Sequence, residues 1–144
     1  MNKTVLLAVD TTSHVTPAAD MTRELCRDSG DQVIVLHVHE FAVGRWGRLQ
    51  VDCGEGEGEK VVASILADLK NAGITADSEI RETKFGHIAR EIVTAADEHD
   101  ARIIVLGSSG HTDMPLMPFG SVSHRLLHMA RRPVLIVPKD LGAK

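Results

Sequence analysis

The chain has few of the features that several classes of protein require. Its two cysteines, Cys26 and Cys53, lie far apart and form no Cys-x-x-Cys or Cys/His ligand spacing, which excludes a disulfide scaffold and predicts free thiols in a reducing compartment. The N-terminal apolar run from Val5 to Val9 ends at Asp10 and is too short for a signal-peptide core or a membrane span. We therefore expect a cytoplasmic protein that does not associate with membranes.

Neither sign of charge dominates the sequence. Sixteen Lys and Arg residues against twenty Asp and Glu residues give a net charge of −4, so no global field attracts nucleic acid or an anionic membrane. A polyanionic ligand has to be held by a local site. The 144 residues, 43% hydrophobic and 25% charged, predict one globular domain over residues 1–144.

Several catalytic motifs are also missing. No Gly-x4-Gly-Lys-Ser/Thr is present, so the lysine and metal arrangement of P-loop hydrolases is lacking and fast ATP hydrolysis is not expected. Gly-x-Ser-x-Gly is absent as well. Two histidine pairs share a face, His37 with His39 on a strand and His124 with His128 on a helix, but neither has a third ligand at a recognisable spacing, and we expect no bound structural metal.

Short apolar runs rich in β-branched residues predict strands that are buried on both faces, as in a parallel sheet covered by helices. These runs are Val5–Val9, Val33–Leu36, Ile103–Leu106 and Val134–Val137. A fifth segment, Ile74–Arg81, alternates apolar and polar residues and predicts a half-exposed edge strand.

Helical periods separate the predicted strands. Apolar residues recur at helix spacing in two stretches, Val61, Val62, Ile65, Leu66 and Leu69 in one and Ile88, Ala89, Ile92, Val93 and Ala96 in the other. Thr16 is the predicted cap of the first helix with Pro17 at its first position, and Gly30 and Gly73 are predicted helix stops. The glycine-rich residues 41–59 predict a mobile loop. The alternation predicts an open three-layer α/β fold with ligand sites at the carboxyl ends of its strands.

A glycine motif follows the run Ile103–Leu106. Nine residues separate Gly107-Ser-Ser-Gly110 from Gly120-Ser121-Val122-Ser123, which begins a helical stretch. Glycines let the backbone approach a ribose or phosphate closely, and a helix N-terminus offers N–H groups and a positive dipole end to an anion. The motif therefore predicts a nucleotide site. The alternatives are an ordinary strand-to-helix connection and, for Ser121, a simple helix cap.

The same residues carry a family resemblance. The chain resembles the ATP-binding subgroup of the universal stress proteins, whose hallmark Gly-x2-Gly-x9-Gly-Ser/Thr stands here as Gly107, Gly110, Gly120 and Ser121. The likeness extends from the opening Val5–Asp10 through Val35–Val38 to the closing Arg132–Val137. It implies an α/β fold, a three-layer α/β/α sandwich of the adenine nucleotide alpha hydrolase-like type, with a five-stranded parallel sheet in the order 3-2-1-4-5.

The resemblance also implies roles for individual residues. Asp10 would face the nucleoside, although a strand-end residue of this type also caps its own loop. The backbone near Val38 would hydrogen-bond adenine, Leu106 and Gly107 would line the ribose, and His111 would supply partial positive charge because Ser109 stands where many members carry Arg or His. The implied phosphate cradle consists of Gly110, Gly120, Ser121, Val122 and Ser123.

The implied function is binding of ATP or another adenine nucleotide, together with Mg²⁺ or Mn²⁺, by a regulatory stress-response module with little or no turnover. An unidentified protein partner and a homodimer through the edge strand Val134–Val137 belong to the same expectation. Two alternatives stay open. One is a slow Mg²⁺-dependent ATP hydrolase or phosphotransferase that uses Asp10, and the other is an interaction module that binds no nucleotide.

Overall fold

Strands and helices alternate along the chain in the predicted order, apart from one additional short strand that follows the second strand directly. The computed structural model describes residues 2–11, 15–51, 56–108 and 121–139. The elements are β1 (Thr4–Val9), α1 (Val15–Ser29), β2 (Gln32–Gly44), β3 (Gly47–Gln50), α2 (Glu57–Asn71), β4 (Ala76–Lys84), α3 (Ile88–Glu98), β5 (Ala101–Gly107), α4 (Ser121–Met129) and β6 (Val134–Val137). Helix α1 begins at Val15, so Thr16 and Pro17 lie in its first turn and the prediction that Thr16 caps it is wrong.

The sheet has the predicted topology. Parallel pairing joins the strands in the order β4-β2-β1-β5-β6, which is 3-2-1-4-5 when the five parallel strands are counted along the chain. Gly30 directly follows α1 with φ +72°, and Gly73 lies one residue beyond the C-cap Ala72 of α2 with φ +80°, as expected for helix stops. The family-like α/β fold with a mostly parallel central sheet is therefore confirmed.

Two apolar layers hold the helices on opposite faces of the sheet. Odd-numbered residues of β1 and β2 pack with α1 and α2, through Val5, Leu7, Val33, Val35, Ala18, Cys26, Val62, Ile65 and Leu69. Even-numbered residues pack with α3 and α4, through Leu6, Ile34, Leu36, Ala89, Ile92, Ala95, Ala96 and Leu126. Because successive strand residues point to opposite faces, continuous apolar runs supply both layers of this three-layer sandwich.

The segment predicted as a mobile loop is largely regular structure. Strand β2 continues to Gly44, turns through Arg45 and Trp46, and pairs antiparallel with β3 from Phe41↔Gln50 to Gly44↔Gly47. Gly47 adopts φ +115°, a conformation that a tight turn requires, and the Arg48 guanidinium lies 3.7 Å from the centre of the Phe41 ring. The glycines of residues 41–59 predict a mobile loop, whereas Gly47 lies at the turn of a hairpin.

Strand β4 lies at an edge of the sheet and is half-exposed, as predicted, with each face partly covered. It starts at Ala76 rather than Ile74, and Ile80 is 40% exposed. The opposite face is partly covered, because Arg81 pairs with Glu79 at 2.9 Å and with Glu91 and Glu98 of α3. Charge pairing with α3, which a period-two pattern does not encode, covers the Arg81 face, while Ile74 and Ala76 pack with the α2 layer on the other face.

A buried carboxylate joins strands at the amino end of the sheet. Asp31 is 6% exposed and accepts hydrogen bonds from the Lys3 backbone N–H at 2.9 Å and from Arg102 Nε at 2.5 Å. Burial raises the pKa of Asp31, but these two hydrogen bonds and the Arg102 charge outweigh it and hold the pKa below its usual value. The ion pair thus stabilises the end of the sheet remote from the candidate site.

Candidate functional site

The central strands β1 and β5 end side by side at the carboxyl edge of the sheet. Strand β1 ends at Val9, followed by the half-buried Asp10, and β5 ends at Gly107. The chain leaves β1 toward β2 on one side, whereas β5 lies on the other side, so the connections diverge at this point. Such switch points are where open α/β sheets bind ligands. The structure therefore brings Asp10 and Gly107 to one crevice.

A notch in the sheet lies next to Asp10. The β1 ladder along β2 ends at the pair Val9↔His37, and the β3 ladder begins at Phe41↔Gln50. Even-numbered residues of β2 direct their main-chain groups to one edge of the strand. On that edge Gln32 N donates to Lys3 O, just before β1, and Glu40 O accepts from Val51 N, just after β3. Strands β1 and β3 therefore lie on the same edge of β2. We call the stretch Val38–Glu40 the β2 notch.

The β2 notch offers main-chain hydrogen-bonding groups rather than side chains. In the part of the chain that the structure describes, neither the β1 ladder nor the β3 ladder includes Val38–Glu40 on this edge, and the carbonyl of Glu40 is already bonded to Val51 N. By the alternation, the carbonyl of Val38 and the N–H of Glu40 face the notch. Val38 is itself 6% exposed, so its side chain belongs to the core and its backbone to the notch.

Two buried histidines form one wall beside the β2 notch. His37 Nδ1 lies 2.9 Å from Val9 O, and the rings of His37 and His39 meet edge to face with centroids 4.6 Å apart. His39 Nε2 lies 2.8 Å from Glu59 Oε1, while Gln50 Nε2 lies 3.3 Å from His39 Nδ1. One neutral tautomer of His39 satisfies both contacts, accepting at Nδ1 and donating at Nε2.

The start of α2 closes over this wall. A Cβ on Gly58 would lie 2.3 Å from His37 Cδ2 and 3.0 Å from His39 Cε1, so only glycine lets the helix approach the two rings this closely. The hydrogen bond from His39 lowers the pKa of the Glu59 carboxyl. The sequence predicts a mobile loop over residues 41–59, and the signal that it does not use is a glycine at the start of a helix opposite two strand histidines.

The turn between β4 and α3 ties the opposite side of the site to α4. Gly86 N donates to Glu40 Oε2 at 2.7 Å, and Arg125 Nη1 donates to Gly86 O at 2.6 Å. Gly86 adopts φ +85°, which favours glycine here. Neither Glu40 nor Arg125 was predicted as part of the site, because the contact joins elements distant in sequence.

The start of α4 is fixed against the end of β5. Ser123 is 3% exposed, and its Oγ donates to Gly107 O at 3.2 Å, while Ser108 N donates to Val137 O at 2.9 Å. Ser121 is exposed and Val122 half-buried in the first turn of α4, where backbone N–H groups have no intrahelical acceptor.

Seven of the ten residues predicted for the site therefore lie among the described residues. They are Asp10, Val38, Leu106, Gly107, Ser121, Val122 and Ser123, which lie on strands β1, β2 and β5 or directly after them, or in the first turn of α4. Leu106 is 5% exposed, so its side chain is part of the core. Gly110, His111 and Gly120 lie outside the described residues.

Comparison with known proteins identifies the family. The model of the universal stress protein family matches residues 1–138. The chain belongs to the universal stress protein family. It is 29% identical over 146 aligned residues to the universal stress protein YxiE of Bacillus subtilis, an alignment that covers 92% of this chain and 97% of the relative.

Solved structures with the same fold come from several universal stress proteins. The structure of protein MJ0577 superposes with a TM-score of 0.75 at 22% identity, covering 96% of each chain. The universal stress protein of Archaeoglobus fulgidus solved in complex with dAMP superposes with a TM-score of 0.68 at 20% identity, covering 94% of this chain and 97% of that one. No helix in the described part of this family member is long and apolar enough to cross a membrane.

Proposed function

We propose that this universal stress protein binds an adenine nucleotide, ATP, at the carboxyl edge of its sheet. The observation that carries the proposal is the β2 notch, open main-chain positions directly beside Asp10. The residues assigned to the site are Asp10, Val38, Leu106, Gly107, Gly110, His111, Gly120, Ser121, Val122 and Ser123. Mg²⁺ or Mn²⁺ would enter with the phosphates.

The chemistry of the β2 notch favours adenine over guanine. The carbonyl of Val38 accepts and the amide of Glu40 donates, whereas the carbonyl of Glu40 is already bonded to Val51 N. Adenine presents a donor at its N6 amino group next to an acceptor at N1, which complements this pair. Guanine presents the acceptor O6 next to the donor N1–H on the same edge. Its O6 would face the carbonyl of Val38 and its N1–H the amide of Glu40, so neither pair could form a hydrogen bond.

The start of α4 is the proposed place of the phosphates. Its first-turn N–H groups and the dipole at its N-terminus favour an anion, and the hydroxyl of Ser121 is exposed there. The contact from Ser123 to Gly107 keeps this helix end at the carboxyl end of β5. Proteins of the same fold support a nucleotide as ligand, since one was solved with dAMP and another universal stress protein with cAMP.

Regulation rather than turnover is the activity we propose. The sequence has no P-loop lysine to neutralise charge on a transferring phosphate, so nucleotide is held more readily than it is cleaved. Nucleotide binding would change a surface that a partner protein reads, which requires that the nucleotide bind the two states with unequal affinity. A slow Mg²⁺-dependent hydrolase that uses Asp10 is the competing function.

The edge strand β6 is the proposed dimer interface. Among the described residues β6 pairs only with β5, and its sequence Val134–Val137 is wholly apolar. A two-fold pairing with the same strand of a second copy would cover this edge. We also propose one domain over residues 1–144 and a cytoplasmic location, in keeping with Cys26 as a buried free thiol.

Mass spectrometry of small molecules released from the purified, undialysed protein tests the proposal. Release of ATP, ADP or AMP at about one molecule per chain supports it, and a protein that carries no nucleotide and takes up none on incubation with ATP contradicts it. A turnover assay separates the competing activity. Formation of many ADP molecules per chain with Mg²⁺, abolished in Asp10→Asn, would establish the hydrolase instead.

A further inference from the structure

The ring of His37 contacts the main chain where β1 meets Asp10. His37 Nδ1 lies 2.9 Å from Val9 O. Because a carbonyl only accepts, Nδ1 carries the proton and donates to it. Val9 is the last residue of the β1 ladder, and the peptide bond that contains this carbonyl leads directly into Asp10. The hydrogen bond therefore acts on the orientation of the Val9–Asp10 peptide.

The ring is held in this position from several sides. It is 3% exposed and lies edge to face against His39. The backbone of α2 lies so close that a Cβ at Gly58 would come within 2.4 Å of His37 Nε2. His39 is in turn bonded to Glu59 of α2 and contacts Gln50 of β3. A donor fixed by three elements is better preorganised than a solvent-exposed one.

We propose that His37 is a positioning residue of the nucleotide site, which fixes the Val9–Asp10 peptide and thereby the direction in which Asp10 enters the crevice. This inference rests on the proposed function. His37 touches no nucleotide in this account. It acts through its hydrogen bond to Val9 O, which holds Asp10 in place before the nucleotide binds. The entropic cost of ordering Asp10 is then not subtracted from the free energy of binding.

Asparagine and leucine at position 37 give a matched pair of variants. The two side chains have nearly the same shape, but only Asn carries an N–H, at a position equivalent to the imidazole Nδ1. His37→Leu removes the donor and His37→Asn keeps it, while both lose the rest of the ring. By calorimetry with ATP we expect the Kd to rise about tenfold in His37→Leu and to recover to within about threefold of the wild type in His37→Asn.

Two further measurements separate positioning from general destabilisation. Hydrogen exchange of the Asp10 and Thr11 amides is expected to accelerate in His37→Leu and not in His37→Asn, at equal global stability in urea. His99→Leu, which removes a histidine bonded to Glu79 away from the site, serves as control and is expected to leave the Kd for ATP unchanged.

The proposal is overturned if the leucine and asparagine variants show the same Kd, or the same exchange at Asp10. The exchange result decides on His37 even if wild-type protein binds no ATP, in which case only the proposed function fails. For a His37→Leu variant that does not fold, ¹⁵N NMR of the wild-type imidazole decides. A neutral ring protonated at Nδ1 supports the inference, and one protonated at Nε2 alone contradicts it.

Discussion

Gly58→Ala tests how tightly α2 packs on the histidine pair. The added Cβ would lie 2.3 Å from His37 Cδ2 and 2.4 Å from His37 Nε2, whereas unstrained carbon contacts are about 3.5–4.0 Å. Neither neighbour is the mobile end of a side chain, because the ring is 3% exposed and hydrogen-bonded to Val9 O. Helix and ring must therefore separate by about 1 Å to admit the methyl group.

The expected loss of stability follows from two opposing effects. Overpacking of a well-packed site costs about 1–3 kcal/mol, and replacing glycine by alanine in a helix returns up to about 1 kcal/mol. We expect Gly58→Ala to lower the free energy of unfolding by about 1–2 kcal/mol. Urea titration followed by circular dichroism measures this as a lower midpoint at unchanged slope.

Gly44→Ala is the matched control, because its added Cβ would meet nothing closer than Gly47 O at 3.7 Å. It is expected to stay within about 0.5 kcal/mol of the wild type. A Gly58→Ala variant as stable as Gly44→Ala would refute the close packing of α2 on His37 and His39.

Three other predictions concern separate parts of the molecule. Asp31→Asn should cost about 2 kcal/mol at pH 7 by leaving Arg102 without its partner. Because the pKa of Asp31 is lowered in the folded state, the difference in unfolding free energy between the variant and the wild type should be full above about pH 4 and vanish as the pH falls through the folded-state pKa. Urea titrations that show the same difference at every pH would contradict this. Burial raises the pKa of Cys26 to about 11. Peptide mapping should therefore find this thiol unmodified by iodoacetamide at pH 8 in the folded protein and modified after unfolding. Modification of Cys26 in the folded protein would contradict its burial. Ser123→Ala should lower the free energy of unfolding by about 1 kcal/mol, because the hydrogen bond to Gly107 O is lost. Ser121→Ala, at an exposed position, should lower it by less. Equal losses in the two variants would contradict the hydrogen bond of Ser123.

Local sequence patterns predicted the parallel strands and the helices that cover them. Runs such as Val5–Val9 and Ile103–Leu106 are apolar at every position because both faces are buried, and this property is visible without a structure. The order of the strands came from the family resemblance. What the patterns did not predict was the hairpin of β2 and β3, because the contact between Arg48 and Phe41 that joins the two strands depends on side-chain geometry across a turn.

The candidate site was predictable only where its residues follow a strand end or begin a helix. Asp10 and Gly107 were placed correctly at the carboxyl edge because their strands are strong signals. The β2 notch was not foreseen, since it arises from where two neighbouring ladders end. The closeness of Gly58 to His37 was missed for a similar reason, because it depends on how α2 docks on the sheet.

Titration calorimetry with ATP and GTP tests the central claim most directly. The β2 notch, with an acceptor at Val38 and a donor at Glu40, predicts that ATP binds with a Kd below about 1 mM and that GTP binds at least about tenfold more weakly. No heat of binding with ATP at about 1 mM, or equal affinity for both nucleotides, would contradict recognition of adenine by this edge of the sheet.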